Sequence, residues 1–296
     1  MRVDALDLEF QGTPRVIASF LVHGPQGAVL IETGPESTLP TLLDRLREHG
    51  VSPADVRDVL VTHIHLDHAG ACGWWAQNGA RVWVHPAGAP HLVDPSKLVS
   101  SAARIYGDRM DELWGTIRPA PAERVIAVED GDVIEAAGLR ITAVETPGHA
   151  YHHHVYRIDD VAFAGDAAGI KLPGNRWTDL PAPPPEFDLE RWKKTLERLR
   201  GLGLRTLHRT HFGGTSDVAQ ELDEFEKVLV QAVEWIAEMS DAGLEREAMI
   251  AAFSARMRSW AESIGTRGED VRAYELANPR FMSVDGIVRY RAKLRR

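Results

Sequence analysis

The chain has 296 residues, of which 44% are hydrophobic and 26% are charged, and its formal net charge is −9. A chain of this length and composition can bury a substantial hydrophobic core, which argues against a disordered protein. The acidic balance disfavours nucleic-acid binding, because binding to phosphates needs a clustered excess of Lys and Arg.

Membrane insertion and disulfide bonding are also disfavoured. No stretch approaches the roughly 20 apolar residues of a membrane span, and MRVDALDLEF has neither the basic nor the apolar region of a signal peptide. The single cysteine, Cys72, excludes an intramolecular disulfide, and we interpret it as a small buried thiol. We therefore expect a cytoplasmic protein whose partners include neither nucleic acid nor membrane.

The first half of the chain alternates strands and helices, which is typical of an α/β fold. β-branched runs that end at glycine predict strands, and leucines at helical spacing predict helices. In chain order we predict a hairpin of strands 15–24 and 28–34, a helix 37–50, a buried strand 56–63, a helix 68–79, a strand 81–85 and a mostly helical stretch 95–114.

The second half begins with strands and ends with helices. We predict strands 123–128 and 139–145, a hairpin over 154–166, a helix 188–201, a strand 203–208 and helices from about residue 215 onward. Between them, residues 171–188 contain five prolines, which exclude regular structure and predict a functional or mobile loop. We divide the chain into a catalytic domain, residues 1–215, and a helical C-terminal appendage, residues 216–296.

The stretch VTHIHLDHAG, residues 61–70, concentrates four chemically active side chains directly after a predicted buried strand. They are His63, His65, Asp67 and His68. In an extended segment alternate residues share a face and lie about 6.6 Å apart, so His68 falls on a different side from the other three. This arrangement suits two metal ions separated by about 3.5–4 Å.

Further candidate ligands follow where later strands are predicted to end in glycine turns. ETPGHA contains His149, FAGDAAG contains Asp166 and HRTHFGG contains His211. Neutral imidazole and carboxylate suit zinc, manganese or iron. His208 competes with His211 for the last position, but it falls inside the predicted strand, whereas His211 lies beyond it.

The motif His-x-His-x-Asp-His resembles that of the metallo-β-lactamase superfamily, and the similarity extends over about residues 15–215. The resemblance implies a four-layer αββα sandwich with a helical insertion at residues 86–118, and it is nearest to glyoxalase II-like and uncharacterised prokaryotic members. It also implies two ions and the ligands that hold them: His63, His65 and His149 for the first, Asp67, His68 and His211 for the second, and Asp166 as the bridge.

The chain departs from this family pattern at two places. Glu32 in ETGP replaces an aspartate that is common in relatives, so the contact that orients the motif loop is expected to differ in length or direction. Tyr151 and His152 replace a Pro-Gly pair that often follows the ligand histidine. Among the histidines that come next, His153 is the best candidate for orienting a ligand.

From the resemblance we predict a binuclear hydrolase in which metal-bound hydroxide attacks an ester-like bond, with Asp67 as the proton acceptor. Zinc is the expected metal, and manganese and iron are alternatives. The competing hypothesis is a mononuclear iron enzyme of the persulfide dioxygenase type, with His63, His149 and Asp166 as its ligands.

The substrate is expected to be a small molecule with a phosphodiester, thioester or lactone bond, and a homodimer is a possible assembly. The sequence leaves open whether certain aromatic side chains line the pocket: Tyr106, Trp114, Tyr151, Trp177 and Phe187.

Overall fold

A computed structural model describes residues 1–295 of the chain, which divide into two compact units. The first unit comprises Met1–Glu145 and His152–Gly165, and the second comprises Thr146–Tyr151 and the chain from Asp166 onward. The proposed domains 1–215 and 216–296 stay a prediction.

The first unit contains a six-stranded sheet in which the strands follow chain order. The first three strands are antiparallel, and the third to the sixth are parallel. They are β1 (Arg2–Asp7), β2 (Ala18–Gly24), β3 (Gly27–Ile31), β4 (Val56–Leu60), β5 (Arg81–Val84) and β6 (Val125–Ala127).

A second sheet of the first unit is antiparallel and consists of β7 (Val133–Ala136), β8 (Leu139–Glu145), β9 (His154–Ile158) and β10 (Val161–Phe163). Its inner face packs on the first sheet through aromatic side chains. The rings of Phe20 and Phe163 lie 5.4 Å apart, and the Tyr156 hydroxyl donates towards the carbonyl oxygens of Val61 and Trp83. These buried contacts join the two sheets of this unit.

Six α-helices accompany these strands among the described residues of the first unit. They are α1 (Leu39–Glu48), α2 (Leu66–Ala69), α3 (Cys72–Gln77), α4 (Ala89–Val93), α5 (Ser96–Tyr106) and α6 (Met110–Trp114). The predicted helical insertion is therefore confirmed. The predicted single helix 68–79 is wrong in its bounds, since α2 begins earlier and a break separates it from α3.

The second unit consists mainly of helices. Its elements are α7 (Leu189–Gly201), β11 (Thr206–Arg209), β12 (Gly213–Thr215), α8 (Val218–Asp241), α9 (Arg246–Ser263), α10 (Gly268–Ala277) and α11 (Arg280–Leu294). The prediction of helices beyond residue 215 is confirmed. Within residues 1–295, no helix combines the length and apolar character needed to cross a bilayer.

Residues 171–188 contain neither helix nor strand, as predicted, yet much of this segment is buried within the second unit. Trp177, Asp179 and Leu180 each expose 1% or less of their surface. The backbone amide of Leu172 donates to the hydroxyl of Tyr274, which in turn donates to the carbonyl oxygen of Trp177. The prolines thus exclude regular structure, while α10 supplies hydrogen-bond partners for the backbone.

Candidate metal centre

The motif residues of the first unit lie where β4 gives way to a short helix. β4 ends at Leu60, residues 61–65 have no regular structure, and α2 starts at Leu66. Asp67 and His68 therefore lie on a helical turn. The prediction that Asp67 shares an extended face with His63 and His65 was wrong, because the chain turns into α2 directly after His65.

Gly70, directly after α2, allows the motif to pack closely against the turn after β3. A Cβ atom at this position would lie 2.4 Å from the carbonyl oxygen of Leu66 and 3.0 Å from Cα of Pro35. The amide of Thr33 donates to the carbonyl oxygen of His68 at 2.8 Å, which holds the motif against the turn after β3. Only glycine allows this close approach of two backbone segments.

His63 and His65 present two ring nitrogens to each other. Nε2 of His63 lies 2.9 Å from Nδ1 of His65, and His63 is fully buried. Two nitrogens that bind one tetrahedral zinc at about 2.0–2.1 Å are separated by about 3.3 Å. The pair is thus close to the spacing that a shared metal ion requires.

Glu32 organises the motif from a buried position at the end of β3. Its Oε1 accepts the hydroxyl of Thr62 at 2.6 Å and lies 3.1 Å from Nδ1 of His68. The Thr62 oxygen is also 3.0 Å from Nδ1 of His63. Because Thr62 donates to Glu32, it accepts from His63, so both histidines carry their proton on Nδ1, and Nε2 is the nitrogen that could bind a metal.

The predicted ligands of the second unit gather around one carboxylate. Asp166 Oδ2 lies 3.2 Å from Nε2 of His149, and Asp166 Oδ1 lies 3.5 Å from Nε2 of His211. All three residues are at most 2% exposed. Each carboxylate oxygen thus faces one imidazole nitrogen.

His208 and His211 occupy different environments. His208 lies on β11 opposite Gly214, where a Cβ atom would come within 2.8 Å of its ring, and burial lowers the pKa of His208 to about 4. His211 lies beyond the end of β11, as predicted, and contacts Asp166. We therefore retain His211 as the candidate ligand.

The three consecutive histidines after the 146–151 turn are buried beside the motif in the first unit. The His153 ring stacks on His63 with centroids 4.9 Å apart, and His152 lies 5.7 Å from His65. His154 instead packs against His85 at 4.8 Å. His152 and His153 thus contact rings of the motif. His154, the first residue of β9, contacts His85 instead.

Two of the five aromatic side chains of unknown role belong to the insertion of the first unit. Trp114 is buried and stacks on Phe10, with centroids 5.7 Å apart. Tyr106 is half-buried and packs edge-on against Trp114; burial, together with the negative charge of Asp67, raises the pKa of its phenol. Of these two, Tyr106 is the one under the electrostatic influence of the motif.

The other three aromatic side chains lie in the second unit. Trp177 packs against Trp260 and Phe187 against Tyr290, and both are core residues with 1% and 4% exposure. Tyr151 is 43% exposed, in agreement with a role at the surface or rim.

Cys72, directly after the motif helix, is a buried thiol as predicted. Burial raises its pKa, and its Sγ lies 3.9 Å from the Thr33 hydroxyl. The thiol is therefore neutral at physiological pH, which is unsuited to a nucleophile.

Sequence reasoning did not identify two contributors to the site. Thr62 precedes the first motif histidine, so the hydroxyl next to His63 is a feature that could have been recognised. The other is the backbone carbonyl of Pro181, which lies 2.8 Å from Nδ1 of His149. A carbonyl has no side-chain signature, so the sequence offers no means of finding it.

The donor set fits transition-metal ions. Clusters of histidine and carboxylate side chains that could hold a metal ion are present in the described chain. In His63, His68 and His149, Nδ1 is engaged with an oxygen acceptor, directly or through Thr62, so each ring is oriented with Nε2 as the donor to a metal.

Comparison with known proteins places the chain in a family. A family model described as the metallo-beta-lactamase superfamily matches residues 12–211. This match covers well over half of the chain, and the chain therefore belongs to the metallo-beta-lactamase superfamily.

Individual relatives and structures agree with this membership. A metallo-beta-lactamase fold-containing protein of Sulfurisphaera tokodaii is 27% identical over 214 residues, which are 70% of this chain and 77% of the relative. The structure of a metallo-beta-lactamase family protein from Thermus thermophilus has a TM-score of 0.68, with 24% identity over 93% of this chain and 92% of that one. The predicted α/β metallo-β-lactamase fold, with its helical insertion and C-terminal helices, is confirmed.

Two shorter matches concern proteins whose names state an activity. An atrochrysone carboxyl ACP thioesterase of Aspergillus fumigatus is 26% identical over 57% of this chain and 42% of its own length. A hydroxyacylglutathione hydrolase of Shewanella halifaxensis is 29% identical over 36% of this chain and 32% of its own length.

Proposed function

We propose that the protein is a binuclear metal-dependent hydrolase of an ester-like bond. In this assignment His63, His65 and His149 would hold the first ion, Asp67, His68 and His211 would hold the second, and Asp166 would be shared by both. The observation that carries the proposal is that imidazole tautomers are fixed by oxygen acceptors at His63, His68 and His149. Histidines oriented in this way are typical of metal ligands rather than of surface histidines.

The geometry within each unit supports this assignment of ligands. The 2.9 Å spacing of His63 Nε2 and His65 Nδ1 suits a shared ion. The two oxygens of Asp166 face different histidines, which suits a bridge between two ions. We take zinc as the metal, with manganese and iron as alternatives, because imidazole and carboxylate ligands accept all three.

Two divalent ions would supply Lewis acidity and lower the pKa of an attacking water to near neutrality. We assign Asp67 as the acceptor of the proton that this water loses. Its side chain is partly exposed, at 20%, whereas His63 and His68 are fully buried, so it can reach both solvent and the reaction centre. Its Oδ2 lies 3.5 Å from Nε2 of His68, which keeps the carboxylate next to a ligand.

Among ester-like bonds we favour a thioester of a small molecule as the substrate. The thioesterase and the hydroxyacylglutathione hydrolase among the relatives act on thioesters, since an acyl carrier protein ester and an acylglutathione each carry the acyl group on sulfur. Thiolate is a good leaving group, so the chain needs no strong general acid for it. Phosphodiester and lactone substrates are the alternatives in the same test.

The experiment is a substrate panel on metal-loaded protein: glutathione thioesters, aryl phosphodiesters and lactones, assayed before and after treatment with chelator. We expect thioester hydrolysis that chelation abolishes and added zinc restores. Sulfite formation from glutathione persulfide, with oxygen uptake and an inert panel, would support the mononuclear iron dioxygenase and contradict hydrolysis.

Asp67→Asn tests the assigned proton acceptor. Asparagine can offer one oxygen to a metal but cannot take a proton, so kcat should fall by about 10²–10⁴, with a smaller change in KM. Asp111→Asn, an exposed carboxylate on α6, is the matched control. An Asp67→Asn protein that holds two metals and turns over at the wild-type rate would show that Asp67 is not the base.

A further inference from the structure

The ring of His149 is oriented by the backbone of the proline-rich segment. Nδ1 of His149 lies 2.8 Å from the carbonyl oxygen of Pro181, and both residues are buried. Since a carbonyl can only accept, Nδ1 carries the proton and Nε2 is the nitrogen that can bind a metal. The position of this carbonyl therefore sets both the tautomer and the direction of the ring.

The residues on either side of Pro181 are bound by the last two helices of the second unit. The Ser283 hydroxyl donates to the carbonyl oxygen of Leu180 at 2.9 Å and lies 3.4 Å from the amide nitrogen of Ala182. Asn278 also donates to the carbonyl oxygen of Leu180 through Nδ2. One hydroxyl on α11 thus holds the backbone immediately before and immediately after Pro181.

An ion pair and a close packing contact also hold the segment around Pro181 against α11. Arg280 at the start of α11 pairs with Asp179, and both are buried, with exposures of 8% and 0%. Oδ1 of Asp179 accepts the amide of Leu180 at 2.8 Å. On the same helix, a Cβ atom at Gly286 would lie 2.0 Å from the carbonyl oxygen of Ala182, so α11 lies directly on this segment.

The other end of the segment reaches the remaining two ligands of the second unit. Ile170 exchanges two backbone hydrogen bonds with Asp179, at 3.0 and 2.8 Å, and the amide of Lys171 donates to the carbonyl oxygen of His211 at 2.7 Å. The amide of Gly169 donates to the carbonyl oxygen of Asp166 at 2.9 Å. The segment 169–182 therefore contacts all three ligands through its backbone.

We propose that Ser283, with Asn278 and Arg280, is a positioning residue for the metal ligand His149. The last two helices fix the carbonyl of Pro181, and this carbonyl fixes the His149 ring, so the helical region contributes to metal affinity as well as to folding. The inference rests on the proposed function, because it takes His149 to be a metal ligand.

The test compares zinc affinity, measured by competition with a chromophoric chelator, in wild type, Ser283→Ala and Arg289→Ala. Arg289 is an exposed residue of the same helix and serves as the control. Loss of a group that orients a metal-bound histidine typically weakens affinity by about 10- to 100-fold, which we expect for Ser283→Ala. Arg289→Ala should stay within about twofold of wild type.

A double-mutant cycle separates positioning from a general loss of structure. In a His149→Ala background, Ser283→Ala should change the remaining zinc affinity by less than about twofold, because the ring that it positions is absent. A merely structural role would weaken binding equally in both backgrounds. If Ser283→Ala does not fold, Ser283→Cys, which is similar in size and a weaker donor, is measured in the same cycle.

The outcomes distinguish this inference from the proposed function. Wild-type protein that binds zinc, together with a Ser283 variant that matches Arg289→Ala or shows equal losses in both backgrounds, overturns the inference alone. Wild-type protein that binds neither zinc nor the alternatives manganese and iron overturns the proposed function and the inference with it.

Discussion

At the scale of single residues, Glu32 is the buried carboxylate that orients the motif through its contacts with Thr62 and His68. It is fully buried, accepts from Thr62 and His68, and through Thr62 also acts on His63. A buried carboxylate is costly unless its oxygens are bonded, and here the bonds come from the groups that it orients. Its charge also strengthens the donor character of the imidazoles towards a metal.

Glu32→Gln should weaken metal binding by about 10- to 100-fold, because the neutral amide accepts more weakly than the carboxylate. Chelator competition on the purified variant measures this. The matched control is Glu48→Gln on α1, where the carboxylate is 58% exposed and pairs with Arg45. If both variants bind metal as wild type does, Glu32 does not orient the ligands.

The choice between His208 and His211 is a second prediction at this scale. His211→Ala should retain about one metal ion per chain, since His211 is the proposed ligand of the second ion and lies next to Asp166, whereas His208→Ala should retain two. Elemental analysis of both variants decides. Loss of the second metal in the His208 variant, with retention in the His211 variant, would reverse the assignment.

The sequence predicted side-chain identity better than side-chain geometry. The sequence identified Glu32 as a departure from the family pattern. Its direct contacts with Thr62 and His68 became evident only from the structure. Asp67 was placed on an extended face, although α2 begins one residue before it. Pro181 contributes through its carbonyl oxygen, which any residue possesses, so no pattern of side chains could indicate it.

At the scale of elements, α7 binds the two turns that carry His149 and Asp166. The indole of Trp192 donates to the carbonyl oxygen of Ala167 at 2.8 Å, and its ring lies 5.7 Å from that of His149. The Thr195 hydroxyl donates to the carbonyl oxygen of Pro147 at 2.7 Å. One face of this helix therefore satisfies backbone groups on both turns.

Trp192→Phe should lower the free energy of unfolding of the metal-free protein by about 1–3 kcal/mol, because the buried Ala167 carbonyl loses its donor. Urea denaturation measures this. The control is Trp235→Phe on the half-buried face of α8. Equal losses in the two variants would mean that the hydrogen bond to Ala167 contributes nothing beyond ring volume.

Helices and strands were predicted correctly where the hydrophobic periodicity of a segment agreed with the turn residues at its ends. The strand predicted over 139–145 has those bounds as β8, and the hairpin over 154–166 is β9 and β10. β12 was missed because Gly213 and Gly214 indicate a turn, and these glycines form a strand only by pairing with β11. Tertiary pairing overrides local propensity in such short strands.

At the scale of the whole molecule, the seven proposed ligands are distributed over two compact units. Four lie in the first unit, directly after β4, and three lie in the second, at His149, Asp166 and His211. Separation along the sequence does not predict this division into units. His149 and His153 belong to different units, although they are only four residues apart. The motif and the later strand-end turns nevertheless identified candidates in both units, because this reasoning depends on residue type and position rather than on contacts.

Metal content per chain is the measurement that tests the central claim most directly. Protein purified after growth with several transition metals, and analysed for elemental composition, should contain about two ions per chain, with zinc predominating. The seven proposed ligands, and the two histidines that face the two oxygens of Asp166, lead to this expectation. A value near one, with iron predominating, would contradict the binuclear hydrolase and favour the mononuclear dioxygenase, and a value near zero would contradict both.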